Sequence, residues 1–286
     1  MGCKKDMRLK PAASSFHSCP FVSFVVQLTA AERALESAPA APHTARPLNP
    51  RPRIRTAAFT LIELLVTIAI IVIVAGLALA ALSRSRERTN RSACLSNMRN
   101  LHSLASRFAG DNDGALPIGY RLGQKQFNTT LYVAAGNQYV LLGKLLAGGS
   151  VQDAHVFFCP SERDTTQAYN TKDNPWPVQA GKNLQGGYAT NPLVDWGSAD
   201  FPESPVKLLS LDRVPLLADG VGTPKRVDSR HKDGVNVIFT DGSGRWVPRE
   251  KFDADLSACT SISAGNNAAQ DRIWQILGEK DPTQQP

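Results

Sequence analysis

The sequence predicts an α+β protein, in which one long N-terminal helix packs against a small, mainly antiparallel β head. Three observations support this fold class. The stretch Leu64–Leu82 contains no charged residue, and apolar residues then recur at helical spacing between Cys94 and Phe108. The remainder is broken by Gly, Pro and Asn into short apolar stretches of strand length. We therefore expect a helix that spans a membrane in its first half and is amphipathic in its second.

Residues 1–58 are rich in Ala, Pro, Ser and Arg and show no pattern that would build a core. They hold nine basic and three acidic residues, whereas residues 59–286 hold 23 and 22. Residues 1–58 therefore carry +6 of the formal net charge of +7, and we expect no nucleic-acid partner. We interpret residues 1–58 as a disordered leader that is removed; the alternative is a start codon assigned too far upstream.

Residues 59–82 form the predicted transmembrane helix. Nineteen uncharged residues make about 28 Å of helix at 1.5 Å per residue, which matches the apolar thickness of a bilayer. Thr67 is the only polar side chain in the run, so no face is suited to water. Arginines flank both ends of the run, and the positive-inside rule therefore does not orient it.

Residues 83–110 continue the helix with one apolar and one polar face. The apolar positions follow the spacing i, i+4, i+7, i+11 and i+14; they are Cys94, Met98, Leu101, Ala105 and Phe108. The stretch Asp111-Asn112-Asp113-Gly114 is predicted to end the helix. A calcium loop is the alternative interpretation of these four residues, although no Glu stands at the spacing that a full calcium loop requires.

Residues 111–286 are predicted to form the α+β head. Residues 141–146 show one apolar helical face, and residues 271–277 are predicted to form a last helical turn or two. The strand candidates are Val156–Phe158, Pro215–Ala218, Val235–Thr240 and Arg245–Val247. Asp241 and Gly242 are predicted to lie in the hairpin turn that joins the last two strands.

The segment from Phe59 to Val66, FTLIELLV, resembles the N-terminal processing and methylation motif of type IV pilins and type II secretion pseudopilins. The resemblance implies that a prepilin peptidase cuts between Ala58 and Phe59 and methylates the new amino group of Phe59. It also implies an inner-membrane protein with a cytoplasmic leader and a periplasmic head. Ala58 departs from the family pattern, which usually has Gly there, but Ala is the next smallest side chain.

Glu63 would be the fifth residue of the mature chain. A carboxylate near the bilayer centre costs on the order of 2.5–3.5 kcal/mol, and less at the edge, so we expect it to have a cationic partner. The resemblance implies that this partner is the N-terminal amine of a neighbouring subunit and that the pair sets register during assembly. The alternative is an ordinary boundary residue at the headgroup level.

A second resemblance lies near the other end of the chain. Residues 231–242 contain His231, nine intervening residues, and then Asp241-Gly242. This pattern resembles the H-X9-DG signature of a large bacterial subfamily of pilin-like proteins. Three other stretches resemble the same subfamily: Cys94 with Asn97, Phe158–Ser161, and Gly187–Asn191.

Asp219, His231 and Asp241 are candidates for a metal or catalytic group, because two carboxylates and an imidazole can hold a cation. Both aspartates, however, precede Gly at the end of an apolar run, which is first a turn signal. We therefore favour a structural role for these residues, with His231 bonded to the turn or to an adjacent carboxylate. We expect no cofactor, calcium at residues 111–114 being the alternative given above.

Five cysteines stand at positions 3, 19, 94, 159 and 259, with no C-x-x-C pair and no spacing typical of zinc ligands. The sequence therefore gives no indication of a zinc site. Removal of the leader leaves three cysteines, so at most one disulfide forms within a chain. Cys94 and Cys159 are the candidate pair, which would bridge the helix and the head; two buried free thiols are the alternative.

Together these features predict a non-enzymatic pseudopilin or minor pilin-like subunit. The expected partners are prepilin peptidase, other pilin-like subunits, an inner-membrane assembly platform and the membrane itself. The subunit would be assembled into a filament of the type II secretion or type IV pilus kind. The alternative function is a membrane-anchored periplasmic binding protein or enzyme that uses the pilin export signal, with a site around Asp219, His231 and Asp241.

Overall fold

The computed structural model describes residues 60–149, 151 and 153–279. The predicted leader and the bond between Ala58 and Phe59 lie outside these residues. The described chain begins with one helix, α1, at Leu61–Asp111. Its 51 residues extend for about 77 Å at 1.5 Å per residue. The predicted junction between a membrane-spanning and an amphipathic half thus falls inside a single continuous helix.

The first half of α1 is apolar and does not pack on the head. The segment Leu61–Leu79 has a mean hydropathy of 2.8, and none of it is buried within the described protein. It is long and apolar enough to cross a membrane. A helix forms its backbone hydrogen bonds internally, so this segment leaves no backbone polar group unpaired in lipid. The surface that it would present to lipid consists mostly of apolar side chains.

The second half of α1 carries the predicted apolar stripe. Cys94, Met98, Leu101 and Ala105 are all 0% exposed, which confirms the helical periodicity. Phe108 is only partly buried and contacts Phe201, with ring centroids 6.1 Å apart. The stripe therefore forms one wall of the main core, which the head closes from the other side.

The head contains two antiparallel sheets. The strands are β1 Thr130–Val133, β2 Gln138–Tyr139, β3 Leu184–Gln185, β4 Tyr188–Thr190, β5 Pro215–Asp219, β6 Gly234–Phe239 and β7 Gly244–Pro248. The smaller sheet has the order β2-β1-β3, and the larger has the order β4-β5-β6-β7. The predicted α+β class is confirmed, and the three C-terminal strand candidates correspond to β5, β6 and β7.

Short helices fill the connections and cover the back of the larger sheet. They are α2 Lys144–Ala147, α3 Pro224–Asp228, α4 Asp253–Ala258 and α5 Asn267–Gly278. Single 3-10 turns lie at Ala134–Gly136, Leu141–Gly143, Ala154–Phe157, Leu208–Ser210, Arg249–Lys251 and Ala264–Asn266. The helix predicted at 141–146 is confirmed as a 3-10 turn that continues into α2, and the predicted C-terminal turn is the longer helix α5.

The larger sheet is covered on both faces. Along β6, Ile238 belongs to the core beneath α1, whereas Val235, Val237 and Phe239 belong to the core beneath α4 and α5. Side chains alternate between the faces of a strand, so a strand covered on both sides needs few polar residues. This arrangement explains why all six residues of β6 are buried.

The strand predicted at Val156–Phe158 is wrong. Residues Ala154–Phe157 form a 3-10 turn whose N-terminus is capped by the Asp153 side chain, which accepts a hydrogen bond from the His155 backbone N–H at 2.9 Å. The apolar residues are nevertheless buried, because Phe157 and Phe158 pack into the main core. A short apolar run indicates burial more reliably than it indicates strand conformation.

The stretch Asp111–Gly114 ends α1 as predicted. Asp113 and Gly114 have positive φ values of 51° and 82°, and the Gly114 N–H donates to the Ala109 carbonyl at 2.7 Å. This is the left-handed closure that satisfies carbonyls at a helix C-terminus. Calcium binding by these residues stays the alternative interpretation.

The turn between β6 and β7 depends on Gly242, which has a φ of +77°. Its N–H donates to the Phe239 carbonyl at 2.9 Å, and the Asp241 carboxylate accepts a hydrogen bond from the Ser243 N–H at 2.9 Å. The predicted hairpin turn is confirmed.

We expect Gly242→Ala to destabilise the head by about 1–2 kcal/mol, because an L side chain is disfavoured at positive φ. The new Cβ would also lie 3.3 Å from the His102 ring. Chemical denaturation of the detergent-solubilised full chain, followed by tryptophan fluorescence, measures the effect. The control is Gly110→Ala, where a Cβ meets nothing within 4 Å in a helix. Equal stability of the two variants would contradict the argument.

Candidate functional site

The first candidate site is the N-terminal segment of α1. Glu63 lies in the first turn of this helix and is exposed on the surface of the single chain. A negative charge in a first turn is favoured by the helix dipole. Beyond Glu63 the helix presents apolar side chains on all sides up to Leu79. This geometry places one carboxylate at the edge of a span that is otherwise suited to lipid or to other apolar helices.

The second candidate site is a buried polar group between α1 and the head, which we call the thiol–imidazole cluster. It consists of Cys94, Cys159, Asp219 and His231, all buried, whose ligand-type atoms lie within 4.8 Å of one another. Cys94 comes from α1 and Cys159 from the segment after the 3-10 turn at Ala154–Phe157. Asp219 ends β5, and His231 precedes β6. Four separate chain segments therefore meet at this point.

His231 is held by contacts on both ring nitrogens. Its Nδ1 lies 2.8 Å from Glu87 Oε1, and its Nε2 lies 3.3 Å from Cys94 Sγ and 3.5 Å from Cys159 Sγ. Because an ionised carboxylate only accepts hydrogen bonds, Nδ1 carries a proton and donates it to Glu87. The Nε2 atom is thereby directed at the two sulfurs.

Glu87 is itself held on α1 by Arg91, whose Nε donates to Oε1 at 3.0 Å. Burial raises the pKa of Glu87, but the hydrogen bonds and charges of Arg91 and His231 outweigh burial and lower it. Arg91 also contacts Asp233 at 3.0 Å and lies 4.0 Å from the centre of the Trp246 ring. A network of α1 side chains thus fixes the loop that carries His231.

Asp219 is 1% exposed and is bonded through one oxygen. Its Oδ2 accepts hydrogen bonds from the Asn236 backbone N–H at 2.7 Å and from Asn236 Nδ2 at 3.1 Å. The same oxygen lies 3.8 Å from His231 Nε2, whereas Oδ1 accepts no hydrogen bond from any described residue. Burial raises the pKa of Asp219, although His231 and Asn236 oppose that effect.

The pKa values of the two thiols shift in opposite directions. The Sγ atoms of Cys94 and Cys159 lie 2.7 Å apart, and the structure describes both residues as free cysteines. The contact with Cys159, followed by burial, raises the pKa of Cys94. Burial raises the pKa of Cys159 as well, but hydrogen bonds from Cys94 and His231 outweigh burial and lower it. The contacts of Cys159 thus favour its thiolate more than those of Cys94 do. The disulfide between these residues stays one of the two alternatives given above.

His231 shows the complementary shift. Burial lowers its pKa, but the Cys159 sulfur, Asp219 and Glu87 together raise it to about 9. The ring thus lies beside two cysteine sulfurs and two carboxylates, those of Asp219 and Glu87. Such a group can hold a metal ion or supply a reactive thiolate.

Residues around Cys159 dock its segment onto α1. Asn97 Nδ2 donates to the Phe158 carbonyl and to the Tyr188 hydroxyl, at 3.3 Å each, and the Tyr188 hydroxyl donates to the same carbonyl at 3.2 Å. Gly187 passes so close that a Cβ there would lie 2.5 Å from the Cys159 nitrogen. The three stretches that resemble the H-X9-DG subfamily thus contact one another around Cys159.

Asp241 does not belong to the cluster, although the sequence grouped it with Asp219 and His231. It is exposed at the far end of β6, where it pairs with Arg213 at 3.0 Å. His231 and Asp241 flank a six-residue strand, which separates them by about 20 Å. His231 does not bond the turn; His102 contacts the Thr240 carbonyl there instead, at 2.9 Å.

Sequence reasoning missed Glu87 and Asn236 and did not join the cysteines to the histidine. Glu87 stands seven residues before Cys94 on α1, so helical periodicity placed both on one face and was an available signal. No sequence signal indicated Asn236, because it lies within an apolar strand.

Comparison with known proteins identifies the N-terminal segment. Residues 53–79 match the family model described as the prokaryotic N-terminal methylation motif. The match covers the predicted cleavage bond, Glu63 and most of the apolar span, and it supports membership of the type IV pilin-like family and anchoring in a membrane. No curated protein and no solved structure matches the chain significantly.

We expect Asn97→Ala to destabilise the protein by about 1–3 kcal/mol, because it removes the two hydrogen bonds that Asn97 donates to the buried Phe158 carbonyl and Tyr188 hydroxyl. Asn100→Ala, at an exposed position on the same helix, should change stability by no more than about 0.5 kcal/mol. Denaturation midpoints of the full chain in detergent compare the two. Similar midpoints for both variants would show that Asn97 does not hold the Cys159 segment.

Proposed function

We propose that this protein is a structural, non-enzymatic pilin-like subunit, cleaved after Ala58, methylated on Phe59 and assembled through its N-terminal helix into a filament of the type II secretion or type IV pilus kind. The observation that carries this proposal is the methylation motif at residues 53–79 on a helix whose first half is apolar and unburied. An apolar surface of this length needs lipid before assembly and other apolar helices after it.

The division of α1 supports the same function. Its second half packs against the head, since the stripe of Cys94, Met98, Leu101 and Ala105 is fully buried. Its first half therefore carries the surface through which subunits pack. In a filament of staggered helices, Glu63 would meet the N-terminal amine of a neighbouring Phe59, and the charge pair would set the stagger between subunits.

The buried state of the thiol–imidazole cluster favours a structural role over an enzymatic one. Asp219 and His231 are 1% and 2% exposed, so a substrate has no direct access to them. Asp241, the third residue of the alternative catalytic site, lies at the opposite end of β6. The head would then contribute to the filament through the contacts of its surface rather than through catalysis.

The mature N-terminus tests this function directly. Coexpression with a prepilin peptidase should yield a chain that begins with N-methyl-Phe59, detected by intact-mass and peptide mass spectrometry. Ala58→Gly should be processed at least as well, whereas Ala58→Phe should retain the leader because the side chain is too large for a tight protease subsite. An intact leader on the unmodified chain in the presence of active peptidase would refute the proposal.

Glu63→Gln tests the assembly role, because it keeps the size of the side chain and removes its charge. The variant should be cleaved normally, yet multimers captured by cross-linking in membranes should fall roughly tenfold, as expected for a loss of about 1.4 kcal/mol. Thr67→Val, which alters a polar side chain one turn further along the span, is the control and should leave multimers unchanged. Undiminished multimers in Glu63→Gln would exclude register-setting by this carboxylate.

A further inference from the structure

We propose that Cys94, Cys159, Asp219 and His231 form a buried zinc site that fastens the head to the second half of α1. No sequence pattern indicates this site, because the four residues lie between 12 and 137 positions apart and follow no spacing of known zinc motifs. The fold alone brings them together. The site is independent of the proposed filament function, since the first half of α1 takes no part in it.

The donor set suits zinc. Two cysteine sulfurs, one imidazole nitrogen and one carboxylate oxygen are ligands that zinc accepts, and four of them complete its tetrahedral shell. Bond lengths of 2.0–2.3 Å place tetrahedral ligands roughly 3.3–3.8 Å apart. The distances from His231 Nε2 to Cys94 Sγ, Cys159 Sγ and Asp219 Oδ2 are 3.3, 3.5 and 3.8 Å. The two sulfurs, now 2.7 Å apart, would have to separate by about 1 Å.

The residue behind the imidazole supports the assignment. Zinc-binding histidines commonly donate the N–H of the other ring nitrogen to a carboxylate, which fixes the tautomer and the direction of the ring. Glu87 provides that carboxylate, 2.8 Å from Nδ1, and it is held in turn by Arg91. Nε2 is thereby presented to the position where an ion would lie.

Asp219 supplies the second independent observation. Its carboxylate is buried, and its Oδ1 accepts no hydrogen bond from the described residues. Leaving a buried carboxylate with one oxygen unpartnered is costly, and a cation bound by this carboxylate offsets that cost. Zinc takes deprotonated thiols and a neutral imidazole nitrogen, so the protons that these ligand atoms carry pass to solvent on binding. The resulting thiolates and carboxylate are then neutralised largely by the ion.

The site would be closed and therefore structural. All four ligands come from the protein and are buried, which leaves no open coordination position for a substrate or water. One ion would join α1, the Cys159 segment, the end of β5 and the loop before β6. Packing, hydrogen bonds and the ion pairs of Arg91 and Glu87 also hold these elements together.

A disulfide between Cys94 and Cys159 is the alternative to zinc binding by the same two sulfurs. It would join the two sulfurs, but it would leave Asp219 Oδ1 without a hydrogen-bond donor among the described residues and would give His231 and Asp219 no part in the link. Zinc accounts for all four residues, whereas the disulfide accounts for two. Metal content and thiol state separate these outcomes.

Metal analysis of the full chain, purified in detergent without a histidine tag and dialysed against metal-free buffer, should find one zinc per chain. Cys94→Ser and His231→Gln should each lose it. Cys259→Ser, a buried cysteine in the core beneath α4 and α5, and His155→Gln, an exposed histidine, are the matched controls and should retain it. Glu87→Gln should keep the ligands and lower the zinc affinity on the order of 10–100-fold.

Cobalt replacement in the unmodified chain tests the site without relying on any variant to fold. Exchange of zinc for Co²⁺ should produce thiolate-to-cobalt charge-transfer absorption and the intense visible bands of tetrahedral coordination. A chain two hydrogens lighter with no bound metal would overturn the proposal in favour of the disulfide. A folded chain with two free thiols that binds neither zinc nor Co²⁺ would overturn it as well.

Discussion

The structure depends on one helix that must satisfy two different environments. The first half of α1 exposes apolar side chains throughout, whereas the second half buries a single stripe against the head. A fully buried large apolar side chain contributes about 1.5–3 kcal/mol, so Met98 and Leu101 alone make the docked state strongly preferred. The head is therefore held against the second half of α1, and the exposed half stays available for lipid or for other helices.

Apolar contact alone would not fix the register of the helix on the head. A shift by one turn moves α1 by 5.4 Å and still presents an apolar stripe. The polar contacts forbid that shift, because Glu87 must meet His231 and Asn97 must meet the Phe158 carbonyl. Buried polar groups that lose their partners are penalised, so the thiol–imidazole cluster and its neighbours specify one alignment.

This separation of roles fits the proposed function. A subunit that moves from a membrane into a filament exchanges lipid for neighbouring helices along the first half of α1. The contact between the second half of α1 and the head, which we call the seam, would remain intact through that exchange. A bound ion at the seam would strengthen it without touching the assembling surface, and the buried position of the cluster would shield its thiols from solvent.

The sequence by itself determined the long helix, its division into two halves, the strands β5 to β7 and the turn at Gly242. Each depends on local periodicity or on the turn chemistry of a few neighbouring residues. Only the tertiary structure decided the partners of His231, because Cys94, Cys159 and Asp219 come from distant segments whose meeting depends on sheet order and helix docking. It also removed Asp241 from the group, since a strand of six residues carries its two ends apart.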